Sequence, residues 1–589
     1  MSIDTILVLA VFGLLLFTLY FNWLKPVVAF IAAVAILTIS GILSPADVLH
    51  GFANEQLAVI IMLLFFSEII RSTSLMDHLF TRLFANTSSP QGFLGRILLF
   101  VASGSSIFNN TPLVAMTMPL VHRWSRKHRV SPSKLMIPLS YAAILGGCVT
   151  LVGTSTNLIV NGMAIESGLP ALHIFDFSWV GLPMMFVGIC YLLIVGMRLL
   201  PSRKEPIEEF IESSREFLVE ADVSPGSPLI GKTISEAKLR HLKGMFLVEI
   251  ARKDHYITAV SPEEILQEGD GLIFTGNTEA LSDLREPALG LSLPQFCELP
   301  DKENTGIVEA VVSHNSRLAD KKVQDSDFRG IWDAAILAVH RNGEKLRGKI
   351  GEIVLRPGDV LLLLTGPDFI PRTAGAHAFY LLNSREDVTK VPDIKAWLVV
   401  AGIIVSLMLS AFNLVSLFTS LITLLCIALL IRVAPIAEIR RSMDYGLIFV
   451  LALGLALGKA MINSGAAELI ATQVLVFGQS FGPLGLLAAI FIAGNLLASF
   501  ITNVAAVAIL FPVSVAIAQS MQVNLVPFIL IVAYSGAANF ITPVGYQTNL
   551  MVYGPGGYTF RDFFRIGFPL TVIYGIAAVL ILSWVYGFI

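Results

Sequence analysis

Ten apolar runs constrain this chain most, because each is long enough to cross the roughly 30 Å hydrocarbon layer of a membrane. Five of them precede residue 201 and five follow residue 392. The runs lie near residues 5–22, 27–43, 57–71, 135–163, 177–198, 395–411, 415–432, 446–463, 525–550 and 566–587. Backbone groups in hydrocarbon must pair within their own segment, so the pattern predicts a polytopic α-helical membrane protein.

Most of the charge lies in one block between the two apolar halves. Residues 201–392 hold 23 Lys and Arg against 31 Asp and Glu, a net charge of −8, whereas the rest of the chain carries +5. No basic domain is present, so we expect no nucleic-acid partner. The predicted domains are a first transmembrane repeat at 1–200, two soluble domains at 201–290 and 291–392, and a second transmembrane repeat at 393–589.

The charges of the connecting loops predict an orientation. If the N-terminus lies outside, the outer loops contain no Lys or Arg, and these residues fall in the inner loops. Cytoplasmic loops are the ones enriched in Lys and Arg. We therefore expect a multi-pass protein of the cell (inner) membrane, in contact with lipid, with residues 201–392 in the cytoplasm and both termini outside.

Polar residues interrupt four apolar segments. Segments 92–121 and 482–520 are broken by Asn, Thr and Pro, and we expect each to form a re-entrant hairpin. Runs 135–163 and 525–550 contain Gly-Thr-Ser-Thr-Asn and Gly-Tyr-Gln-Thr-Asn, and each predicts an interrupted helix. Irregular backbone at membrane depth is tolerated only where protein or a water-filled cavity covers it, so these interruptions mark an internal site.

The interruptions repeat between the two halves. Asn110 lies 47 residues before Asn157, and Asn503 lies 46 residues before Asn549, so the halves are offset by 393 and 392 residues. Each half contains five spans, an odd number, and the two halves must therefore be inverted relative to each other. Inverted repeats with interrupted helices are typical of secondary transporters, whose substrate and ion sites lie near the membrane midplane.

A broken helix supplies the chemistry of such a site. Its free N–H groups attract anions, and its free carbonyl groups coordinate Na⁺. No Lys or Arg lies near any of the four motifs. A dianion would therefore be held by N–H groups, hydroxyls and amides, with Na⁺ as the coupling ion that supplies compensating charge.

The four motifs together resemble the divalent anion:sodium symporter family, and the resemblance covers essentially the whole chain. It implies an elevator-type symporter that forms a homodimer. The substrate-binding residues that it implies are Asn109, Asn110, Thr111, Thr502, Asn503, Val504, Thr542 and Pro543. The first sodium site would use Asn110, Gly153, Thr154 and Asn157, and the second would use Asn503, Gly545, Thr548 and Asn549.

The chain departs from the family pattern at both hairpin tips. Asn109 and Thr502 stand where the family has Ser, and Val504 stands where it has Thr. Residues 547–558 resemble the subgroup that carries cytoplasmic TrkA-type C-terminal (RCK-C) domains, in which sulfate is the suggested substrate. The resemblance therefore favours sulfate over a dicarboxylate as the transported divalent anion.

The charged block is itself a tandem repeat. Residues 218–221 match 307–310 at an offset of 89, and the Gly-Asp pair at 269–270 recurs at 358–359 with the same offset. The pattern predicts two small α+β modules, which resemble the TrkA C-terminal domain. That resemblance implies a regulatory ligand of nucleotide type, whose identity the sequence leaves open.

One motif in the block imitates a P-loop. Residues 226–233 satisfy the pattern G-x4-G-K-[ST], but Pro228 lacks one of the N–H groups that cradle phosphate. We expect neither an ATPase nor another enzyme. Two alternatives to symport stay open: a cation transporter or channel regulated by RCK domains, and a sensor of anion status with a transporter fold.

Overall fold

The computed structural model of the protein describes most of the chain. The described residues are 2–21, 23–71, 73, 75–84, 87, 89–203, 218–237, 239, 245–252, 255–258, 260–276, 291–292, 307–313, 316–341, 344–346, 350–366, 368–373, 378–382, 393–431, 433, 445–478 and 482–588. The predicted domain boundaries at residues 290 and 392 lie outside this set.

The chain divides into two compact units. One unit combines Met1–Ser202 with Thr389–Ile589, and the other is Arg203–Val388. The first unit thus joins the two apolar halves, and the second corresponds to the charged block between them.

The first apolar half is predominantly helical. Its helices are α1 (Ile3–Tyr20), α2 (Pro26–Ile39), α3 (Pro45–Phe52), α4 (Glu55–Arg71), α5 (Leu75–Phe84), α6 (Pro90–Ser105), α7 (Asn110–Lys127), α8 (Met136–Gly147), α9 (Ser155–Glu166), α10 (Ser178–Tyr191) and α11 (Met197–Leu199). A π-helical turn at Leu192–Gly196 connects the last two. Ser89 and Asn109 cap α6 and α7 through their side chains, which satisfies otherwise unpaired N–H groups.

The charged block contains two antiparallel five-stranded sheets. The first has β1 (Leu218–Val223), β2 (Met245–Arg252), β3 (His255–Thr258), β4 (Gly271–Gly276) and β5 (Leu291–Ser292), in the order β3-β2-β4-β1-β5. The second has β6 (Ile307–Val312), β7 (Ala334–Arg341), β8 (Glu344–Lys345), β9 (Val360–Thr365) and β10 (Phe379–Leu381), in the order β10-β6-β9-β7-β8. The described helices of this block are α12 (Phe328–Trp332) and α13 (Phe369–Thr373).

The two sheets share one topology. The second order, read from its other edge, matches the first strand for strand. A register shift between Leu247 and Glu249 in β2 recurs between Ile336 and Ala338 in β7, 89 residues later. A bulge changes the register of a strand pair, so its recurrence means that the two modules share one strand register.

The second apolar half is again helical. Its helices are α14 (Asp393–Ala411), α15 (Leu417–Leu430), α16 (Tyr445–Asn463), α17 (Ala466–Gly478), α18 (Gly482–Phe500), α19 (Asn503–Ser520), α20 (Leu525–Ala537), α21 (Gln547–Tyr553) and α22 (Phe560–Val585). The helix starts recur between the halves at a nearly constant distance: α2 and α15 begin 391 residues apart, α6 and α18 begin 392 apart, and α7 and α19 begin 393 apart.

Eight helical segments of the described residues are long and apolar enough to cross a membrane. They are Ile3–Tyr20, Pro45–Ile70, Ser178–Leu199, Ile394–Ala411, Tyr445–Asn463, Gly482–Phe500, Asn503–Ser520 and Phe560–Val585. The predicted polytopic helical membrane protein is confirmed. The two helices of the predicted hairpin at 482–520 are both among these segments, so each is long enough to cross the membrane. That the chain enters and leaves the membrane on the same side there stays a prediction.

Two central helices hold the halves together. All twelve residues of α8 are buried, and so are Pro527–Ala537 of α20, as expected for helices that are apolar on every side. Tyr141 of α8 donates a hydrogen bond to the carbonyl of Phe540 (2.5 Å), and Tyr534 of α20 donates to the carbonyl of Phe177 (2.7 Å). Each central helix is therefore anchored to the opposite half.

Candidate functional site

The two predicted hairpin tips coincide with short breaks between helices. In the first half α6 ends at Ser105 and α7 begins at Asn110, with the Asn109 side chain accepting from the Thr111 N–H (3.3 Å). In the second half α18 ends at Phe500 and α19 begins at Asn503, and Thr502 Oγ1 accepts from the Ala505 N–H (3.2 Å). Asn109 and Thr502 are therefore N-caps at equivalent positions, and the helix N-termini behind them favour negative charge.

The Asn110 amide is the most densely bonded group of the first tip. Its side chain is 1% exposed and lies within hydrogen-bond distance of the Ala143 and Gly153 carbonyls (3.1 Å each) and the Tyr546 hydroxyl (2.6 Å). It also contacts Ser105 Oγ. Because carbonyls only accept, the amide nitrogen must face them, and the amide oxygen then accepts from Tyr546.

The two interrupted helices are closed by equivalent asparagines. Asn157 Nδ2 donates to the carbonyls of Gly147 (3.4 Å) and Thr150 (2.9 Å), which lie in the break before it. Asn549 Nδ2 donates to the carbonyls of Asn539 and Thr542, both at 3.1 Å. Each amide thus satisfies two backbone oxygens that the missing helical turn leaves unpaired.

Two threonines brace these breaks in the same way. Thr150 Oγ1 accepts from the Gly153 N–H (3.2 Å) and donates to the Ser106 carbonyl (2.6 Å). Thr542 Oγ1 accepts from the Gly545 N–H (3.1 Å) and donates to the Ser499 carbonyl (2.8 Å). The Thr542 hydroxyl is therefore used inside the protein. Pro543 beside it is buried, and the predicted contact of both residues with substrate stays a prediction.

The side-chain oxygens of the two asparagines differ in their surroundings. Asn549 Oδ1 accepts from Ser140 Oγ at 2.7 Å, and Thr548 Oγ1 lies 2.8 Å from the same hydroxyl. Asn157 Oδ1 is buried and has no hydrogen-bond partner among the described residues. The position 392 residues after Ser140 is Val532, which has no hydroxyl to offer. An orphaned buried carbonyl oxygen is the kind of group that a hard cation such as Na⁺ satisfies.

Hydrogen bonds across the halves join the first tip to the second break. Thr111 Oγ1 lies 3.0 Å from Gln547 Oε1, and Thr154 Oγ1 lies 3.0 Å from the Tyr546 hydroxyl. The structure therefore brings Asn110, Thr111 and Thr154 of the predicted site together with two residues of the Gly-Tyr-Gln-Thr-Asn motif.

The second tip makes fewer contacts with the first break than the first tip makes with the second break. A side chain added at Gly536 would meet the Thr156 methyl group at 3.1 Å and the Asn503 carbonyl at 3.6 Å. Val504 is 6% exposed, and the Asn503 side chain makes no hydrogen bond to the described residues. The two tips are thus placed alike but bonded differently.

Ser105 and Ser140 reach the candidate site, although the family resemblance assigns no role to them. Tyr546 and Gln547 lie in the predicted Gly-Tyr-Gln-Thr-Asn motif, but their contacts with the first tip were not predicted. The sequence signal for the role of Tyr546 was the difference between Gly-Thr-Ser-Thr-Asn and Gly-Tyr-Gln-Thr-Asn, in which the large Tyr546 stands at the position equivalent to the small Thr154.

The site has no formally charged side chain among the residues that form these tips and breaks. In the described part of the chain, no group of three His, Cys, Asp or Glu side chains could hold a metal ion. A cation bound here would be coordinated by amide, hydroxyl and carbonyl oxygens.

The P-loop-like segment of the charged block does not present its N–H groups. The backbone N–H groups of Ser227 and Ile230 donate to Ser224 and Ser227 carbonyls, and that of Gly231 donates to the Leu266 carbonyl (2.9 Å). The Leu229 N–H donates to Ser227 Oγ. Groups that are already paired cannot cradle a phosphate, so the segment is a structural turn.

Each sheet module contains the same buried ion pair. Asp270, 1% exposed, receives two hydrogen bonds from Arg252 (2.8 Å each), and Asp359, also 1% exposed, receives two from Arg341 (2.7 Å each). Hydrogen bonding to Asp359 raises the pKa of Arg341, which keeps the guanidinium charged. The pairs lie 89 residues apart and fix the Gly-Asp turns of the two modules.

Comparison with known proteins identifies the membrane unit. A family model described as Citrate transporter (CitMHS) matches residues 7–494 and 478–588. A Chlamydomonas reinhardtii protein, provisionally named a sulfur deprivation response regulator, is 33% identical, with 93% of this chain and 96% of that protein aligned. An uncharacterized transporter of Synechocystis is 30% identical over 100% of this chain and 97% of its own length.

A third relative carries a more specific name. Sodium/sulfate cotransporter 2 of Chlamydomonas reinhardtii is 23% identical, and the alignment covers 96% of this chain and 87% of that protein. The matches extend over both apolar halves, so they agree with the resemblance that the motifs indicated. This chain therefore belongs to the citrate transporter (CitMHS) family.

Proposed function

We propose that this protein is a sodium-coupled secondary active transporter of a small divalent anion, with sulfate favoured over a dicarboxylate. The observation that carries the proposal is the repeated pair of tip and break, in which buried amides and hydroxyls surround the helix ends without a charged side chain. Such a site is suited to an anion only if a cation binds with it, because no cationic side chain is there to balance the charge.

Sodium coupling is supported by two observations. The Asn157 amide oxygen is buried and has no partner among the described residues, which suits a cation ligand of the first sodium site. The relative named sodium/sulfate cotransporter 2 carries both ions in its name. We assign the first sodium site to Asn110, Gly153, Thr154 and Asn157, and the second to Asn503, Gly545, Thr548 and Asn549.

The transport cycle that we propose is ordered. Sodium binds first and fixes the hairpin tips, and the anion then binds at the N-termini of α7 and α19. The loaded unit moves against a fixed scaffold as an elevator, and a half-loaded site carries uncompensated charge that hinders this movement. Recurrent helix starts between the halves, together with the odd number of spans that the sequence predicts for each half, support inverted repeats of the kind that alternate access in this way.

The charged block is proposed to regulate transport from the cytoplasm. Its two sheets have the same strand order and the same bulge, as expected for two TrkA-C-like modules that bind a regulatory ligand of nucleotide type. We further propose a homodimer in the cell membrane with both termini outside. Loop charges support the orientation, and the family resemblance supports the dimer.

The proposal is tested with the purified protein in proteoliposomes. We expect labelled sulfate uptake under an inward sodium gradient, little uptake under an equal potassium gradient, and weak competition by unlabelled succinate. Asn110→Ala and Asn503→Ala should abolish uptake while the protein stays folded. Asn524→Ala is the matched control, because Asn524 also caps a helix (α20) but lies outside the tips.

A sensor of anion status is the second candidate function. The relative provisionally named a sulfur deprivation response regulator favours it. A sensor would bind sulfate, seen as a sulfate-dependent rise in unfolding temperature, without sodium-driven uptake. Absence of both uptake and stabilisation would reject sulfate as the ligand.

A further inference from the structure

The two breaks share one frame but differ at two adjacent positions. Both read Gly-x-x-Thr-Asn, and the variable pair is Thr154-Ser155 in the first half and Tyr546-Gln547 in the second. The offset of 392 residues makes Thr154 equivalent to Tyr546, and Ser155 equivalent to Gln547. A pair of small residues in the first half thus occupies the position that a pair of large residues occupies in the second half.

Tyr546 occupies the contact between the halves. Its hydroxyl lies 2.6 Å from the Asn110 amide and 3.0 Å from Thr154 Oγ1, and the side chain is 6% exposed. Since Thr154 and Tyr546 are equivalent and touch each other, they lie where the two repeats meet. The ring therefore fills a central space that a threonine at position 546 would leave open.

Gln547 extends this closure to the first tip. Its Oε1 accepts from Thr111 Oγ1 at 3.0 Å, so the tip and the second break are bridged. The equivalent pair, Ser155 and Val504, cannot form such a bridge because Val504 lacks a polar side chain. The candidate anion site is consequently asymmetric, because a polar bridge joins the first tip to the second break, whereas Ser155 and Val504 form no such bridge.

We infer that Tyr546 and Gln547 are specificity-determining residues, which restrict the site to a compact tetrahedral oxyanion and exclude an elongated dicarboxylate. The inference rests on the proposed transport function and adds the basis of its selectivity. A tetrahedral dianion places all its oxygens around one atom and fits beside the ring. An extended dicarboxylate must hold two charged ends apart, and the ring and the Gln547 bridge occupy the space that its second end needs.

Two variants separate the effect of the volume of the Tyr546 ring from the effect of its hydroxyl. Tyr546→Thr introduces the residue of the first half, and Tyr546→Phe keeps the ring but removes the hydroxyl. Both are compared with wild type for uptake of labelled sulfate and labelled succinate under a sodium gradient. Tyr20→Thr is the control for the same substitution at an exposed position, since Tyr20 is 54% exposed.

We expect Tyr546→Thr to lower the preference for sulfate over succinate by about tenfold or more, a range typical of pockets that discriminate by size. Tyr546→Phe and Tyr20→Thr should keep the wild-type preference. Gln547→Ser, which copies Ser155, should shift the preference in the same direction as Tyr546→Thr.

A Tyr546→Thr protein that transports sulfate and still excludes succinate as wild type does would overturn the inference alone. If that variant transports nothing, the stabilisation of its purified form by succinate relative to sulfate decides, and an unchanged ratio is again a refutation. A wild-type protein without sodium-driven sulfate uptake would instead refute the proposed function, and the inference falls with it.

Discussion

Replacing the two equivalent break asparagines by alanine should have different consequences in the presence and absence of sodium. Asn549→Ala removes three hydrogen bonds, two to carbonyls and one from Ser140. Asn157→Ala removes two hydrogen bonds to carbonyls together with an oxygen that has no partner among the described residues. The chemical change is the same, and both side chains are fully buried.

The hydrogen bonds set the expected loss of stability without sodium. At about 1 kcal/mol for each bond, Asn549→Ala should lower the free energy of unfolding by about 3 kcal/mol and Asn157→Ala by about 2 kcal/mol. Sodium at a hundred times its dissociation constant stabilises a protein by about 2.7 kcal/mol. The Asn549 oxygen is already bonded to Ser140, so we expect Asn549 to position the backbone of the second sodium site without coordinating the ion. The Asn157 oxygen has no partner among the described residues. If it coordinates the cation, only the Asn157 variant loses the sodium term, and its total deficit rises to about 5 kcal/mol.

Asn549→Ala should therefore be the less stable variant without sodium, and Asn157→Ala should be the less stable variant when sodium is added. Unfolding midpoints of the detergent-purified proteins, measured in sodium chloride and in potassium chloride, give this comparison directly. Asn161→Ala is a suitable control, because Asn161 is buried and accepts from the Leu172 N–H (2.8 Å) outside the two breaks. An Asn157→Ala protein that keeps the full wild-type stabilisation by sodium would refute the assignment of a cation to this oxygen.

Three other perturbations give further predictions. Gly146→Ala should lower the yield of folded protein, because the added methyl group would collide with the Ala102 backbone. Gly95→Ala is its control, because the nearest atom to the added methyl group is a leucine methyl carbon at 3.8 Å. This control should leave the stability unchanged or raise it by up to about 1 kcal/mol. Arg341→Ala should destabilise its module by about 3 kcal/mol, seen as loss of the strand signal at lower denaturant, because it leaves Asp359 buried without its partner. Deleting residues 205–390 should change the rate or affinity of sulfate uptake, and unchanged kinetics with and without added nucleotides would argue against a regulatory block.

The tips and breaks were predictable because polar residues stand out in apolar runs. All four predicted interruptions coincide with an observed end of a helix: α6 ends before Asn109, α8 before Gly153, α18 before Thr502 and α20 before Gly545. The capping roles of Asn109 and Thr502 follow from the preference of helix starts for Asn and Thr.

The pairing across the halves was not predictable in the same way. Ser140 lies in an apolar helix, where a serine hydroxyl can satisfy itself on its own backbone, so nothing local indicates that it reaches Asn549. Tyr546 and Asn110 are 436 residues apart, and no periodicity connects them. Only packing of the two apolar halves brings such groups together.

That packing also sets the order in which the chain can mature. Ser140 meets its partner Asn549 only after 409 further residues have been synthesised. At 5–20 residues per second, this delay is about 20–80 s, much of it spent on the charged block. During that time the Ser140 hydroxyl of α8 and the Asn110 amide oxygen of the first tip lack the partners that the second half supplies. We therefore expect mutations in the second half that break these pairings to leave the first half open to degradation, and pulse-chase labelling would show this as a shorter lifetime of the chain.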